Sequence, residues 1–144
     1  PARVNSEEEW RQALYEWTLL ILRTITGETR RERWQASLFA RERTEPSAAC
    51  RFIIETYFQP VRRRLNALLA MAIPPDASAE DVTIWSVCTL AQCTVYAHRR
   101  PPWNVELFPP DLTREQWLEK TAIHITESIT TRLVFQPQRA GSCC

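Results

Sequence analysis

The chain has 144 residues, of which 44% are hydrophobic and 24% charged, and its formal net charge is +1. This length suits a single domain, and a charge balance this close to neutral does not favour a dedicated nucleic-acid surface. Glycine occurs only at Gly27 and Gly141. Phosphate-binding loops, dinucleotide-binding folds and β-rich barrels need glycine at tight turns, so the composition argues against them.

Four segments begin with a capping box, in which Ser or Thr is followed three residues later by an acidic or amide side chain. Such a box satisfies backbone donors that the first turn of a helix leaves unpaired. The boxes are Ser6 with Glu9, Thr29 with Glu32, Ser78 with Asp81 and Thr113 with Gln116. Glycine or proline follows each apolar pattern and ends it. The predicted helices are A (7–26), B (30–43), C (from its cap Ser47 to about 72), D (79–99) and E (114–135).

Apolar residues recur every three or four positions in these segments, and no strand-like alternation of comparable length competes with them. The sequence therefore predicts an all-α fold, an antiparallel bundle of five to six helices over residues 1–135 with a flexible tail at 136–144. Pro60 lies inside helix C, so either a kink that opens a cavity or a break into two helices is expected there.

Helix D is apolar around nearly its whole circumference, and helix E carries apolar residues outside its main stripe. Two consecutive helices with excess apolar surface favour a homodimer joined by a four-helix bundle; a tightly packed monomer core is the alternative. The predicted interface residues are Leu90, Val95, Leu118, Ile125, Ile129 and Leu133.

The chain has six tryptophans, and four of them lie among the aromatic side chains that are spread over helices A to D. Most belong to a core, but an aromatic lining is also typical of a pocket for a small hydrophobic effector. Gln92 is an amide in the most apolar helix, so it either braces a helix contact or meets a ligand, and Tyr96 lies one turn further on the same face. The candidate ligand-binding residues are Trp17, Trp34, Tyr57, Phe58, Trp85, Gln92 and Tyr96.

No catalytic constellation is apparent, and we expect no enzyme activity, cofactor or metal. The two histidines, His98 and His124, lie on different helices, and no metal-ligand spacing occurs. The arginine clusters at 30–33, 62–64 and 99–100 are interpreted as solvated helix faces. Three of the five cysteines lie in apolar helical patterns, which favours a reducing, cytoplasmic setting. No apolar run approaches the roughly 20 residues of a membrane span.

Three motifs resemble the C-terminal domain of one branch of the TetR/AcrR transcriptional regulators. Residues 41–47 resemble an RE-x-x-EPS/T junction, residues 57–61 a proline-kinked helix, and residues 91–96 a G/A-Q-C-x-x-Y segment. Their order and intervals agree with the family over about residues 10–133. Residues 101–112 resemble nothing in it and are interpreted as an insertion.

The resemblance implies an effector-binding and dimerisation domain of a repressor, in which the last two long helices form the dimer bundle. DNA would be bound only through an N-terminal helix-turn-helix domain, for which we find no candidate before helix A. A stand-alone dimeric adaptor without ligand or DNA binding, and an unrecognised enzyme using a histidine and a cysteine, are the alternatives.

Overall fold

The structure, a computed structural model, describes residues 4–27, 30, 34, 37–38, 41–42, 44–48, 50–74, 77–97 and 111–136. Every regular element in this part of the chain is helical, which confirms the all-α prediction for it. The predicted total of five to six helices stays a prediction, because the bounds of helix B lie outside the described residues. The elements are α1 (Glu7–Thr26), α2 (Cys50–Ile53), a π-helical turn (Ile54–Phe58), α3 (Gln59–Ala70), α4 (Ala79–Ala97) and α5 (Arg114–Thr130).

The predicted caps of α1 are present at both ends. The Ser6 hydroxyl accepts a hydrogen bond from the backbone N–H of Glu9 at 3.2 Å, which pairs a donor of the first turn. Gly27 has a φ of 51° and donates its N–H to the Arg23 carbonyl. A side chain at Cβ would disfavour that conformation, so glycine suits this helix end.

The core is built around α1, which contacts α3, α4 and α5. Its buried stripe has the expected helical spacing and packs against the apolar faces of α3 and α5. The end of α1 is joined to the start of α5, because Arg23 forms an ion pair with Glu115 and Arg114 donates to the Thr26 hydroxyl at 2.6 Å. Among the most fully buried core residues are Trp10, Leu14, Trp17, Leu22, Leu65, Leu69, Leu118, Ile125 and Ile129.

The predicted disturbance at Pro60 takes the form of a π-helical turn directly before the proline. The N–H of Gln59 donates to the carbonyl of Ile54, five residues earlier. In a regular α-helix the Pro60 ring would clash with the carbonyl four residues before it, and its nitrogen has no hydrogen to donate. The wider turn relieves this conflict, so helical structure continues on both sides and helix C does not break in two.

The sequence predicts that helix E reaches residue 135, whereas α5 ends at Thr130, so this boundary was wrong. Residues 133–136 have no regular secondary structure, and the N–H of Gln136 donates to the Met71 carbonyl at 2.8 Å. The ring of Phe135 lies 6.1 Å from the ring of Trp10. In this stretch, which is rich in β-branched residues, tertiary contacts therefore stabilise the chain more than a longer helix would.

Candidate functional site

Two tryptophans of α1 bind the backbone of α3 through their indole N–H groups. Trp10 Nε1 donates to the Leu68 carbonyl at 2.7 Å, and Trp17 Nε1 donates to the Val61 carbonyl at 3.2 Å. Trp17 follows Trp10 by seven residues in α1, whereas Val61 precedes Leu68 by seven residues in α3. The two helices therefore run antiparallel. We call these two hydrogen bonds the indole clamp. They give Trp17 a structural role in addition to any contact with a ligand.

A mostly apolar groove of about 180 Å³ lies between the π-helical turn, the start of α3 and α4. We call it the α3–α4 groove. Ile54, Val61 and Arg62 share one helical face with Phe58, because each lies three or four residues from it. The π-helical turn supplies Ile54 and Phe58. The lining residues are Ile54, Phe58, Gln59, Val61, Arg62 and Leu90.

Arg62 is the charged residue of this lining, and it has neither a hydrogen bond nor an ion pair within the described residues. The nearest acidic residue on the same stretch of helix, Glu55, is paired with Arg51 at 2.9 Å. Arg63 donates to the Gln59 side-chain oxygen at 2.8 Å. The guanidinium at the edge of the groove is therefore a positive charge without a counter-ion among the residues that the structure describes.

The structure brings only part of the predicted pocket together. Phe58 lines the groove, and Trp17 lies behind its wall through the bond to Val61. Trp34 and Tyr57 are 64% and 49% exposed and are not part of the lining.

Two further candidates, Trp85 and Tyr96, also fall outside the described lining. Trp85 is half-buried against the core. The Tyr96 side chain lies outside the described residues. The groove residues that the sequence reasoning missed, Ile54, Val61 and Arg62, share the helical face of Phe58, and this spacing was the available signal.

Gln92 braces a helix contact, which is one of the two roles expected of it. Its side-chain oxygen accepts a hydrogen bond from the Ser128 hydroxyl of α5 at 3.2 Å. Ser128 also donates to the Ile125 carbonyl one turn earlier. The amide thus has a partner within the chain.

The two faces of α4 are reversed relative to an ordinary surface helix. Small residues, Ser86, Thr89 and Cys93, are buried against the rest of the chain. Large apolar side chains point to solvent instead, with Val95 66% exposed. The outward residues recur at helical spacing and form one continuous stripe, which we call the α4 stripe. Its members are Ile84, Val87, Cys88, Ala91 and Val95.

Most of the predicted dimer-interface residues lie in the core of the single chain. Leu118, Ile125, Ile129 and Leu133 have at most 5% of their surface exposed, because the main stripe of α5 packs against α1. Side chains this buried offer a partner almost no surface. Leu90 lines the α3–α4 groove, and Val95 belongs to the α4 stripe. Because helix D is apolar around nearly its whole circumference, the sequence did not indicate which of its faces is covered.

A comparison with known families identifies the family to which the chain belongs. Residues 10–131, well over half of the chain, match the family of the C-terminal domain of the HTH-type transcriptional dual regulator CecR. The chain belongs to this family. A CecR-type domain is the C-terminal domain of a TetR-family transcription regulator, a class of regulators and not of enzymes. No curated protein and no solved structure gave a match.

In this CecR-type domain, the motif at residues 41–47 forms a closed turn before α2. The Glu42 carboxylate accepts from the backbone N–H of Ser47 at 2.8 Å and from its hydroxyl at 2.7 Å. These hydrogen bonds hold the pKa of Glu42 below its ordinary value of 4.5, and the bond from the backbone N–H has the largest effect. The glutamate and serine of the motif are thus a hydrogen-bonded pair.

The domain shows no other site for chemistry in its described part. Within these ranges, no group of three potential ligands could hold a metal ion, and no helix is both long and apolar enough to cross a membrane. Burial raises the pKa of the Cys93 thiol to about 12. Cys88 in the α4 stripe is exposed, whereas Cys50 is half-buried.

Proposed function

We propose that this chain is the effector-binding and dimerisation domain of a TetR-like transcriptional repressor. Two copies associate through α4 and α5, and a small apolar effector occupies the α3–α4 groove. DNA is read by a helix-turn-helix domain outside these 144 residues. Effector binding changes the position of the two copies relative to each other. That change alters the affinity for DNA and so couples the groove to the DNA-binding site.

The reversed amphipathicity of α4 is the observation that carries this proposal. A helix that exposes Ile84, Val87 and Val95 while burying Ser86 and Thr89 leaves large apolar side chains in water. The free energy falls by about 1.5–3 kcal/mol for each such side chain that is fully removed from water. A continuous apolar stripe of this kind marks an interaction surface.

A second copy is the partner that suits the α4 stripe. In a twofold dimer the same patch meets itself, so an apolar stripe without charges is self-complementary. Ile123 on α5 is also exposed and adds apolar surface outside the buried stripe of that helix. Both helices thus contribute, as the family resemblance implies.

Sedimentation velocity on the purified chain tests the dimer. We expect a dimer at micromolar concentration, and we expect Val87→Glu to shift it to monomer because each copy would bury an unpaired carboxylate in the interface. A matched control is Phe52→Glu, since Phe52 is an equally exposed apolar residue on α2, at 64% against 56% for Val87. A wild-type chain that sediments as a monomer would overturn the proposal.

A dimeric adaptor without a ligand is the second candidate function. The modest size of the α3–α4 groove favours it, since pockets for drug-sized ligands have volumes of about 300 Å³ or more. The two functions differ in one measurable property. Native mass spectrometry of the purified dimer would detect a co-purified small molecule if the domain binds an effector, and would give the bare dimer mass for an adaptor.

A further inference from the structure

We infer that the α3–α4 groove takes a small apolar carboxylate, with its rings or chain against the groove walls and its carboxylate on Arg62. This inference rests on the proposed effector-binding function and specifies the chemical class of the effector. It also assigns Arg62 a role in specificity, whereas the sequence pattern alone suggests only a solvated arginine cluster.

The apolar part of the ligand is defined by the groove walls. Ile54 and Phe58 are about half exposed in the single chain, and Leu90 of α4 is half-buried opposite them. A flat hydrocarbon placed between them would remove apolar surface from water on both sides. The groove volume of about 180 Å³ suits one or two rings or a short chain.

The anionic part is defined by charge complementarity. Arg62 has no counter-ion within the described residues, and the acid closest to it along the helix is already paired with Arg51. A guanidinium presents donors in a planar fork that matches the two oxygens of a carboxylate. A neutral ligand of the same shape would fill the groove but would not supply a counter-ion for this charge.

A matched pair of probes tests the inference, namely 1-naphthoate and the neutral 1-naphthamide. Titration of each into the ¹⁵N-labelled chain is followed by NMR. We expect naphthoate to shift the backbone amides of residues 54–59, 61 and 62 and of Leu90, with a dissociation constant in the high micromolar to millimolar range for a ligand of this size. We expect naphthamide to bind at least fivefold more weakly.

Arg62→Gln and its control Arg64→Gln separate the role of this one guanidinium from general charge. Arg64 is exposed on the same helix and does not line the groove. We expect Arg62→Gln to weaken naphthoate binding about five- to tenfold and leave naphthamide binding within about twofold. Arg64→Gln changes neither. Raising the salt concentration weakens naphthoate binding to the wild type and not to Arg62→Gln.

Three results would overturn the inference. Equal binding of both probes, or an equal loss in both arginine variants, would show that Arg62 does not select a carboxylate. Failure of naphthoate to bind at millimolar concentration would remove the ligand class. Finally, if Phe58→Ser weakens the dimer in sedimentation and does not weaken naphthoate binding, the groove is covered by the second copy. In each case the oligomeric state of the wild type, measured separately, decides the dimer proposal on its own.

Discussion

Glu42 illustrates how a short motif acts through one side chain. Its carboxylate accepts hydrogen bonds from the backbone N–H and from the hydroxyl of Ser47, and the hydroxyl lies within hydrogen-bond distance of both carboxylate oxygens. Pro46 stands between the two residues and stops the preceding helical segment. The glutamate thus closes the turn from which α2 begins. The sequence identified this motif only by resemblance, because nothing in the spacing reveals which of its two glutamates makes the bonds.

Replacing Glu42 tests this role through its pH dependence. The folded pKa lies below the ordinary value of 4.5, so the bonds contribute stability above that pH and lose it as the pH falls through the folded pKa. We expect Glu42→Gln to lower the midpoint of thermal unfolding by a few degrees near pH 7. The difference from the wild type should shrink progressively below pH 4.5.

Glu45→Gln is the control for this experiment. Glu45 belongs to the same motif, but its side chain is exposed and only its backbone N–H bonds to Arg41. Its melting curve should follow that of the wild type at every pH. Equal melting of Glu42→Gln and Glu45→Gln at pH 7 would mean that the closed turn adds nothing to the folded state.

At the scale of the elements, local chemistry made the helix starts predictable. Capping by Ser6, Ser78 and Thr113 depends on side chains within one turn, and all three caps are present. The end of α5 was not predictable in this way. It depends on the contact of Phe135 with Trp10, which joins residues that are far apart in the sequence.

The indole clamp is the element-scale feature that is easiest to test. Trp10→Phe keeps most of the ring packing and removes the donor to the buried Leu68 carbonyl, which should cost about 1–3 kcal/mol in the free energy of unfolding. Trp17→Phe should cost less, since its bond is longer and only partly buried. Urea unfolding followed by circular dichroism measures both.

Trp34→Phe is the matched substitution on the surface. Because Trp34 is largely exposed, we expect it to stay within about 0.5 kcal/mol of the wild type. If Trp10→Phe unfolds at the same urea concentration as Trp34→Phe, the clamp does not stabilise the contact between α1 and α3.

At the scale of the whole molecule, the sequence indicated excess apolar surface on helix D but not where it lies. Periodicity cannot orient a helix that is apolar all round, because the buried face depends on which neighbours pack against it. The structure shows that small residues such as Thr89 and Cys93 face inwards. The lining of the groove was equally hard to predict, since Phe58 is the one predicted ligand-binding residue among those that line it.

The cysteines offer a test of the proposed dimer. Cys88 lies in the α4 stripe, so its alkylation by iodoacetamide should slow several-fold as the protein concentration rises through the dimer dissociation constant. Cys93 should stay unlabelled at all concentrations near pH 8, because it is fully buried and its pKa is about 12. Peptide mapping by mass spectrometry measures each site.

Cys50 is the internal reference in the same experiment. It is half-buried on α2 and lies outside the α4 stripe, so its labelling rate should not depend on protein concentration. A Cys88 rate that is equally independent of concentration would place the dimer contact elsewhere on the chain.

The indole clamp also restricts which motions α1 and α3 can make. Its two donors on α1 and its two acceptors on α3 are each seven residues apart. An axial slide of one residue, about 1.5 Å, would therefore misalign both donors at once. No second pair of tryptophans at this spacing on α1 offers another register. A slide of α1 along α3 would therefore break both hydrogen bonds together, so the clamp fixes the register of the two helices.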